Sequence, residues 1–213
     1  MTTLDLFERA PIEVLGPRAL VLRAFALPHE DALLSALDDI VRAAPWRHME
    51  IPGGRTMSAA MTNAGALGWT SDRRGYRYAT HDPLSGRAWP ALPPALLALA
   101  HDAAGAAGFD GFVPDACLVN RYRPGARLTL HQDRDERCHD HPIVSVSLGM
   151  SATFQFGGLR RADPTLKIRL DHGDVVVWGA ADRLRFHGVL PLRDEPHPRL
   201  GSQRINFTLR KAG

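Results

Sequence analysis

The sequence contains no long apolar run, very little cysteine and no internal repeat, and each absence excludes a class of protein. No segment approaches the roughly 20 consecutive apolar residues of a membrane-spanning helix. The start of the chain, residues 1–20, lacks the apolar core of a secretory signal. Two cysteines, Cys117 and Cys138, are too few for a disulfide framework. We therefore expect a protein of the reducing cytoplasm that has no membrane partner.

The composition that is present fits one globular domain. A chain of 213 residues with 45% hydrophobic and 23% charged residues is long and apolar enough to bury a sizeable core. Its formal net charge of +3 is carried almost wholly by arginine, and a charge of this size does not by itself establish a nucleic-acid partner. We expect a monomer whose residues 1–213 form a single domain.

Two segments in the first half have helical periodicity. Residues 29–44 follow Pro28 and place a stripe of apolar side chains on one helical face, with Glu30 and Asp31 in the first turn. Residues 95–108 follow a pair of prolines and end in a glycine, which are typical start and stop signals of a helix. The glycine-rich, aromatic segment between them, residues 52–90, has no clear period.

From about Ala116 onward the pattern changes to short β-like runs separated by glycine and proline. Short strands with turn signals at this spacing are typical of an antiparallel sandwich or barrel. We therefore predict an α+β fold. Its barrel core would span about 116–213, and about 1–115 would form an N-terminal extension whose helices pack against one sheet of the barrel.

The stretch LHQDRDE, residues 130–136, predicts part of a metal site. Residues i and i+2 of a strand point to the same face, so His131 and Asp133 can bind one divalent ion. His187 ends another strand-like run, beside a glycine that permits close approach, and is the candidate third ligand. Two histidines and one carboxylate leave coordination positions open, as in non-haem Fe(II) oxygenases. The alternative is a surface strand that binds nothing.

Two other groups of potential ligands are interpreted as structural. His172 and Asp174 have the same spacing as the first pair, but they bracket a glycine in what resembles a turn. Cys138, His139 and His141 follow the predicted metal site. Since no further cysteine or histidine cluster would complete four ligands, we interpret them as part of an exposed loop, with a second metal site as the alternative.

The last strand-like run, RINFTLR at 204–210, predicts an anion site. Alternation places Arg204 and Arg210 on one face together with Asn206 and Thr208. An unpaired buried guanidinium is very costly, so arginines that turn inward need an anion. Because a guanidinium binds a carboxylate through two parallel hydrogen bonds, a dicarboxylate would satisfy both arginines. An arginine-lined outer face is the alternative.

Seven motifs, in this order and at this spacing, together resemble the AlkB family of Fe(II)- and 2-oxoglutarate-dependent nucleic-acid dealkylases. They are NRYRPGA (120–126), LHQDRDE (130–136), PIVSVSLG (142–149), FQFGGLRR (154–161), HGDVVVWG (172–179), FHG (186–188) and RINFTLR (204–210). The resemblance extends upstream through MTNAGALGWT (61–70) and GYRYATHDP (75–83). It implies a double-stranded β-helix, or jelly roll, and a catalytic Fe(II) held by His131, Asp133 and His187. The 2-oxoglutarate site that it implies consists of Asn120, Tyr122, Arg204, Asn206 and Arg210.

The resemblance also implies a nucleotide-recognition lid ahead of the barrel. The candidate substrate-binding residues are Trp69, Tyr76, Arg77, Tyr78, Asp135 and Arg161. Aromatic rings stack on an extruded base and arginines bind the flanking phosphates. The carboxylate of Asp135 would favour a base that methylation of a ring nitrogen has made cationic. Core positions for the aromatic residues and a solvated turn for Arg161 are the alternatives, and Arg134 and Glu136 are expected to face solvent or phosphate.

The resemblance thereby implies direct-reversal repair of alkylated DNA, and of RNA as a further candidate, in single strands. The reaction would demethylate bases of the 1-methyladenine and 3-methylcytosine type, consume 2-oxoglutarate and O2, and release formaldehyde, succinate and CO2. Such lesions pair poorly, which lowers the cost of flipping the base. Two other functions remain open, because a fold alone does not establish activity. One is an oxygenase of the same chemistry that acts on a protein or small molecule; the other is a non-catalytic metal-binding β-barrel.

Overall fold

The computed structural model describes residues 10–213, so the expectation about a secretory signal lies partly outside the described residues. The helices are α1 (Glu30–Ala43) and α2 (Pro94–Ala106), and short 3-10 turns lie at Leu27–His29 and Ala180–Asp182. The strands are β1 (Ile12–Gly16), β2 (Ala19–Leu22), β3 (Ala60–Gly65), β4 (Gly68–Asp72), β5 (Gly75–Ala79), β6 (Ala116–Tyr122), β7 (Leu128–His131), β8 (Ile143–Gly149), β9 (Ala152–Phe156), β10 (Leu166–Leu170), β11 (Val175–Trp178), β12 (His187–Val189) and β13 (Arg204–Arg210). Within residues 10–213, no helix is long and apolar enough to cross a membrane.

Both predicted helices form, each within two residues of its expected ends. The acidic side chains of Glu30 and Asp31 lie in the first turn of α1, where they interact favourably with the positive end of the helix dipole. Pro94 begins α2, at a position where its missing N–H is not needed. The apolar faces of both helices pack on the major sheet, where they share a core with Phe207 and its apolar neighbours on β13.

Eleven of the strands in residues 10–213 form two antiparallel sheets that pack face to face as a double-stranded β-helix, and β4 and β5 form a separate hairpin. The major sheet has seven strands in the order β1-β2-β11-β8-β13-β6-β3, and the minor sheet has four in the order β10-β9-β12-β7. A second core lies between the sheets, with Phe154, Phe156 and Trp178 among its largest side chains. The α+β barrel predicted from the sequence is confirmed.

The N-terminal part of the chain contributes more to the barrel than its sequence predicts. Strands β1, β2 and β3 belong to the major sheet, so the boundary expected near residue 116 does not separate two sets of strands. The segment 52–90, which has no clear period, contains β3 and the hairpin β4–β5. All residues of β3 are buried, so that strand shows no alternation of apolar and polar residues.

The hairpin β4–β5, residues 68–79, is called the lid hairpin below. Its strands pair from Gly68 opposite Ala79 to Asp72 opposite Gly75. The side chain of Asn63 holds the hairpin by accepting from Trp69 N and donating to Trp69 O, each at 3.0 Å. These two bonds place the Trp69 ring at a defined position relative to the major sheet.

Candidate active site

A cavity of about 630 Å³ lies between the two sheets, a size typical of small-ligand sites. The major sheet lines one wall, chiefly through β6 and β13, and the minor sheet lines the other through β7, β9 and β12. The lid hairpin adds Trp69 and Tyr76 to the lining. The same cavity therefore contains residues from the predicted metal, co-substrate and substrate sites.

His131, Asp133 and His187 come together in this cavity. Across the antiparallel pair β7–β12, His131 lies directly opposite His187, and their ring centroids are 4.4 Å apart. Nε2 of His131 is 3.6 Å from Asp133 Oδ1, and Nε2 of His187 is 3.7 Å from Asp133 Oδ2. The three potential ligand atoms all lie within 4.8 Å of one another. This spacing suits a single divalent ion with open coordination positions.

Two local details allow the three side chains to converge. Strand β7 ends at His131, so Asp133 lies just beyond it, in residues 132–142, which we call the metal loop. The sequence had placed both residues on one strand face. At Gly188 a Cβ atom would lie 2.7 Å from the carbonyl oxygen of Leu128, so only glycine lets β12 approach β7 this closely.

The backbone determines the tautomer of both histidines. Nδ1 of His131 lies 2.9 Å from Thr129 O, and Nδ1 of His187 lies 3.0 Å from Arg185 O. A carbonyl oxygen can only accept, so each Nδ1 carries the proton and donates it. Each Nε2 consequently offers its lone pair to the centre of the triad, as a metal ligand must.

Burial and nearby charges keep His187 and Asp133 in the protonation states that bind a metal. Burial, followed by the neighbouring His131, lowers the pKa of His187 to about 4. Burial alone would raise the pKa of the Asp133 carboxyl, but Arg210 and the two histidines hold it well below its usual value. At neutral pH the triad therefore presents a neutral imidazole at His187 and an ionised carboxylate at Asp133.

Arg204 is buried at the far end of the cavity with most of its hydrogen-bonding capacity unused. Its Nη2 donates to Ser147 Oγ at 2.9 Å, whereas Nε and Nη1 have no partner among the described residues. Its guanidinium lies 5.3 Å from the ring centroid of Tyr122, and burial lowers its pKa. Oδ1 of Asn120 also lacks a partner within residues 10–213. A buried cation of this kind fits the distal carboxylate of a diacid such as 2-oxoglutarate.

Arg210, at the other end of β13, is paired differently from what its sequence predicts. Its Nη2 and Nε donate to Asp133 Oδ2 at 2.6 and 3.0 Å, and Nε is 3.3 Å from Glu136 Oε1. The prediction that both arginines need an added anion is therefore wrong for Arg210, whereas Arg204 has no anionic partner among the described residues. Arg210 still lines the cavity next to the triad, where it can also meet the carboxylate of a metal-bound co-substrate.

Asn206 lies between the two arginines and is fully engaged with protein groups. Its Nδ2 donates to Ser145 Oγ and Val146 O, and its Oδ1 accepts from the Thr208 hydroxyl, each at 2.9 Å. These bonds hold the amide in one orientation on the cavity wall and connect β8 to β13.

Four of the six predicted substrate residues line the cavity: Trp69, Tyr76, Asp135 and Arg161. The rings of Trp69 and Tyr76 stack at 5.5 Å with 14° between their planes. Trp69 Nε1 donates to Asp135 Oδ2 at 2.8 Å, which joins the lid hairpin to the metal loop. Arg161 packs over the ring of Phe186 at 4.9 Å and donates to Leu130 O.

The other two predicted substrate residues lie outside the cavity lining. Arg77 pairs with Asp72 of the same hairpin at 2.6 Å, and that contact raises the pKa of Arg77. The Tyr78 hydroxyl donates to Glu136 Oε1 at 2.8 Å, and burial raises the pKa of Tyr78 well above its usual value. The prediction that Glu136 faces solvent or phosphate is wrong, because its side chain is only 2% exposed.

The groups interpreted as structural lie away from the triad. His172 Nδ1 accepts from Gly149 N at 2.9 Å, and Asp174 pairs with Arg23 at 2.5 Å. His172 connects its turn to the end of β8, and Asp174 connects the same turn to residues 23 and 24. In the metal loop, the exposed Cys138 contacts Asp140 at 3.1 Å.

Two residues of the site have no signal in a single sequence. Trp178 is buried with its Nε1 unpartnered among the described residues, and its ring lies 5.0 Å from that of His187. Arg183 is buried against the metal loop. A double-stranded β-helix that contains an open triad of two histidines and one carboxylate, beside a buried arginine with no anionic partner among the described residues, is typical of a non-haem iron oxygenase.

Comparisons with known proteins agree with this class. The model of the 2OG-Fe(II) oxygenase superfamily matches residues 19–210. Alpha-ketoglutarate-dependent dioxygenase AlkB of Salmonella typhimurium is 55% identical over 211 residues, which are 98% of this chain and 98% of that protein. Nucleic acid dioxygenase ALKBH1 of Mus musculus is 38% identical over 107 residues, 50% of this chain and 27% of that protein. The solved structure of OsALKBH1 has a TM-score of 0.82 at 27% identity, and the match covers 94% of this chain and 100% of that one.

The chain belongs to the AlkB family of the 2OG-Fe(II) oxygenase superfamily. It is an Fe(II)- and 2-oxoglutarate-dependent dioxygenase, and O2 is the second co-substrate.

Proposed function

We propose that this dioxygenase repairs alkylated nucleic acid by oxidative demethylation of cationic N-methylated bases, of the 1-methyladenine and 3-methylcytosine type. The observation that carries the proposal is the position of Asp135, whose carboxylate lies in the same cavity as the iron triad and is held by the Trp69 indole. The name of the mouse relative, a nucleic acid dioxygenase, agrees with a nucleic-acid substrate.

The substrate end of the cavity has the chemistry that a methylated base requires. Asp135 Oδ2 accepts from Trp69, so Oδ1 is left to accept from an exocyclic amino group of the base. The negative charge favours a cationic ring over a neutral one by about 1 kcal/mol or more at contact distance. The face of Trp69 adds stacking and a cation–π attraction of about 0.5–2 kcal/mol.

The chain's own residues place the two co-substrates. His131, Asp133 and His187 would hold the iron, Arg204 would bind the distal carboxylate of 2-oxoglutarate, and Asn120, Tyr122, Asn206 and Arg210 would line the rest of its site. With 2-oxoglutarate and O2, the bound iron supplies the oxidant for the methyl C–H bond, and formaldehyde, succinate and CO2 leave. Phe154, Trp178 and Val189 line the cavity around the triad and exclude water from it.

The rim of the cavity is basic and suits a flexible strand. Arg55, Arg127, Arg134 and Arg161 are part of the lining, and such side chains bind phosphates without reading sequence. A base reaches the triad only when it is extruded, and a single strand extrudes it at the lowest cost. We propose single-stranded DNA as the main substrate and RNA as a second one. We also propose that the chain acts as a monomeric, single catalytic domain in the cytoplasm.

The test is formaldehyde release from single-stranded oligonucleotides that carry 1-methyladenine or 3-methylcytosine. We expect release only with Fe(II) and 2-oxoglutarate, slower release from the same lesion in a duplex, and none from the unmethylated strand. Turnover of 2-oxoglutarate without loss of any methyl group would instead indicate a protein or small-molecule substrate. No turnover under any condition would contradict the enzymatic proposal.

A further inference from the structure

A buried network of four charges surrounds the iron ligand Asp133. Asp133 and Glu136 are the carboxylates, Arg183 and Arg210 are the guanidiniums, and each side chain is 10% exposed or less. The formal charges of the four groups sum to zero. Because buried charges are costly unless they are paired, the position of each group depends on the other three.

Arg183 contacts the metal loop at three points. Its Nη1 donates to Asp133 O at 2.7 Å and its Nε donates to His141 O at 3.2 Å, so the guanidinium bridges the two ends of the loop. Its Nη2 lies 3.1 Å from Glu136 Oε2 in an ion pair whose angle falls short of a hydrogen bond. Arg183 is therefore the countercharge of Glu136 as well as a support for the backbone of the iron ligand.

Arg210 lies between two carboxylates that compete for it. Its Nε is 3.0 Å from Asp133 Oδ2 and 3.3 Å from Glu136 Oε1, so a small rotation exchanges one partner for the other. While Arg183 neutralises Glu136, the stronger contacts of Arg210 are with Asp133. If Arg183 were absent, Arg210 would be the remaining guanidinium beside a carboxylate that is 2% exposed, and the other neighbours of that carboxylate would be the Tyr78 hydroxyl and, at 3.9 Å, the His139 ring.

We propose that Arg183 is a positioning residue of this oxygenase: by neutralising Glu136, it keeps Arg210 directed towards Asp133 and the 2-oxoglutarate carboxylate. Loss of Arg183 draws Arg210 towards Glu136 and leaves the centre with one more negative charge. Both changes weaken the binding of a dianion. Neither change weakens the binding of a divalent cation, because the charge that is removed is positive.

The experiment is calorimetric titration of 2-oxoglutarate into the Mn²⁺-loaded protein, which requires no turnover and no nucleic acid. In Arg183→Met we expect the Kd for 2-oxoglutarate to rise by about 10- to 100-fold, the loss expected when one hydrogen bond between charged groups is removed. The Kd for Mn²⁺ alone should not rise. The control is Arg169→Met, whose guanidinium pairs with Asp171 at 2.8 Å outside the cavity and should leave the Kd for 2-oxoglutarate unchanged.

Changes at Glu136 separate charge balance from a general structural role. Glu136→Gln removes the carboxylate that competes with Asp133 for Arg210, so by itself it should not weaken 2-oxoglutarate binding. Combined with Arg183→Met, it should restore most of the affinity that Arg183→Met loses. It also provides the test if Arg183→Met does not fold. Equal weakening in Glu136→Gln and Arg183→Met, no recovery in the double variant, or parallel loss of Mn²⁺ and 2-oxoglutarate binding would overturn the proposal.

The inference rests on the proposed location of 2-oxoglutarate between Arg204 and Arg210, which a separate variant tests. Arg204→Met should raise the Kd for 2-oxoglutarate whether or not Arg183 positions Arg210. If Arg204→Met binds 2-oxoglutarate as the wild type does, the location is wrong. If Arg204→Met weakens binding and Arg183→Met does not, the location holds and the role of Arg183 is refuted.

Discussion

We expect Arg204→Met to be at least as stable as the wild type without 2-oxoglutarate and less stable than the wild type when 2-oxoglutarate is added. In the absence of the diacid, Arg204 is 1% exposed, and two of its three nitrogens have no partner among residues 10–213. A methionine of similar length would fill the same space without a charge. Replacement of a buried ion pair by apolar side chains is often neutral or stabilising by about 1–4 kcal/mol, and Arg204 has no carboxylate partner among residues 10–213 that its loss would leave unpaired. We therefore expect the Mn²⁺-loaded variant to be at least as stable as the wild type.

The diacid changes this order because only the wild type retains the guanidinium that binds its distal carboxylate. At a concentration 100 times Kd, a ligand stabilises the folded state by about 2.7 kcal/mol. For a chain of this size, 1 kcal/mol shifts the Tm by about 2–4 °C, so the wild type should gain about 5–11 °C. The variant should gain little at the same concentration.

Thermal unfolding in the presence of Mn²⁺, with increasing 2-oxoglutarate, measures both effects in one series. Arg160→Met is the control, because the Arg160 side chain is 87% exposed in a turn and its loss should change neither baseline nor shift. The reasoning is refuted if Arg204→Met is several kcal/mol less stable than the wild type without the diacid. It is also refuted if both proteins gain the same Tm shift.

Three further predictions concern the triad and the substrate end. His131→Ala should abolish Fe(II)-dependent formaldehyde release, whereas His172→Ala, which has the same H-x-D spacing outside the cavity, should retain it; equal loss in both would remove the ligand assignment. Asp135→Asn should lower the kcat/KM preference for cationic 3-methylcytosine over neutral 3-methylthymine by roughly fivefold or more, and an unchanged ratio would exclude electrostatic selection. Below pH 6.5 the metal-free protein should lose stability. The His187 imidazole takes up a proton near pH 6.5 in the unfolded chain, whereas in the folded protein its pKa is lowered to about 4. The loss should reach about 3 kcal/mol near pH 4, and denaturant titrations of His187→Gln should show a flatter pH dependence.

The parts of the site that could be predicted are those whose signal is local. Alternation along β13 correctly places Ile205, Phe207 and Leu209 in the helix-side core and Arg204 and Arg210 on the cavity wall. The i, i+2 spacing of the metal ligands and the glycine after His187 likewise report short-range geometry. Such patterns can be recognised in a single sequence, because the side chains of a strand alternate with a period of two residues regardless of what surrounds the strand.

The parts that could not be predicted depend on partners far away in the sequence. Glu136 lies in a run of charged residues that is typical of a solvated loop, and nothing in that run shows that Arg183, Arg210 and Tyr78 surround it. Strand β3 lacks alternation because it is covered on both faces. Burial of a charge and two-sided burial of a strand are properties of the assembled fold, so a single sequence does not reveal them.

The carbonyl groups that hold the two iron-binding histidines have an evolutionary consequence. Thr129 and Arg185 supply these acceptors through peptide oxygens, which every amino acid possesses. Substitution at either position leaves the acceptor in place as long as the strand keeps its path. The orientation of the two imidazoles therefore does not depend on which side chains occupy positions 129 and 185. Selection at these positions can act on other properties of those side chains.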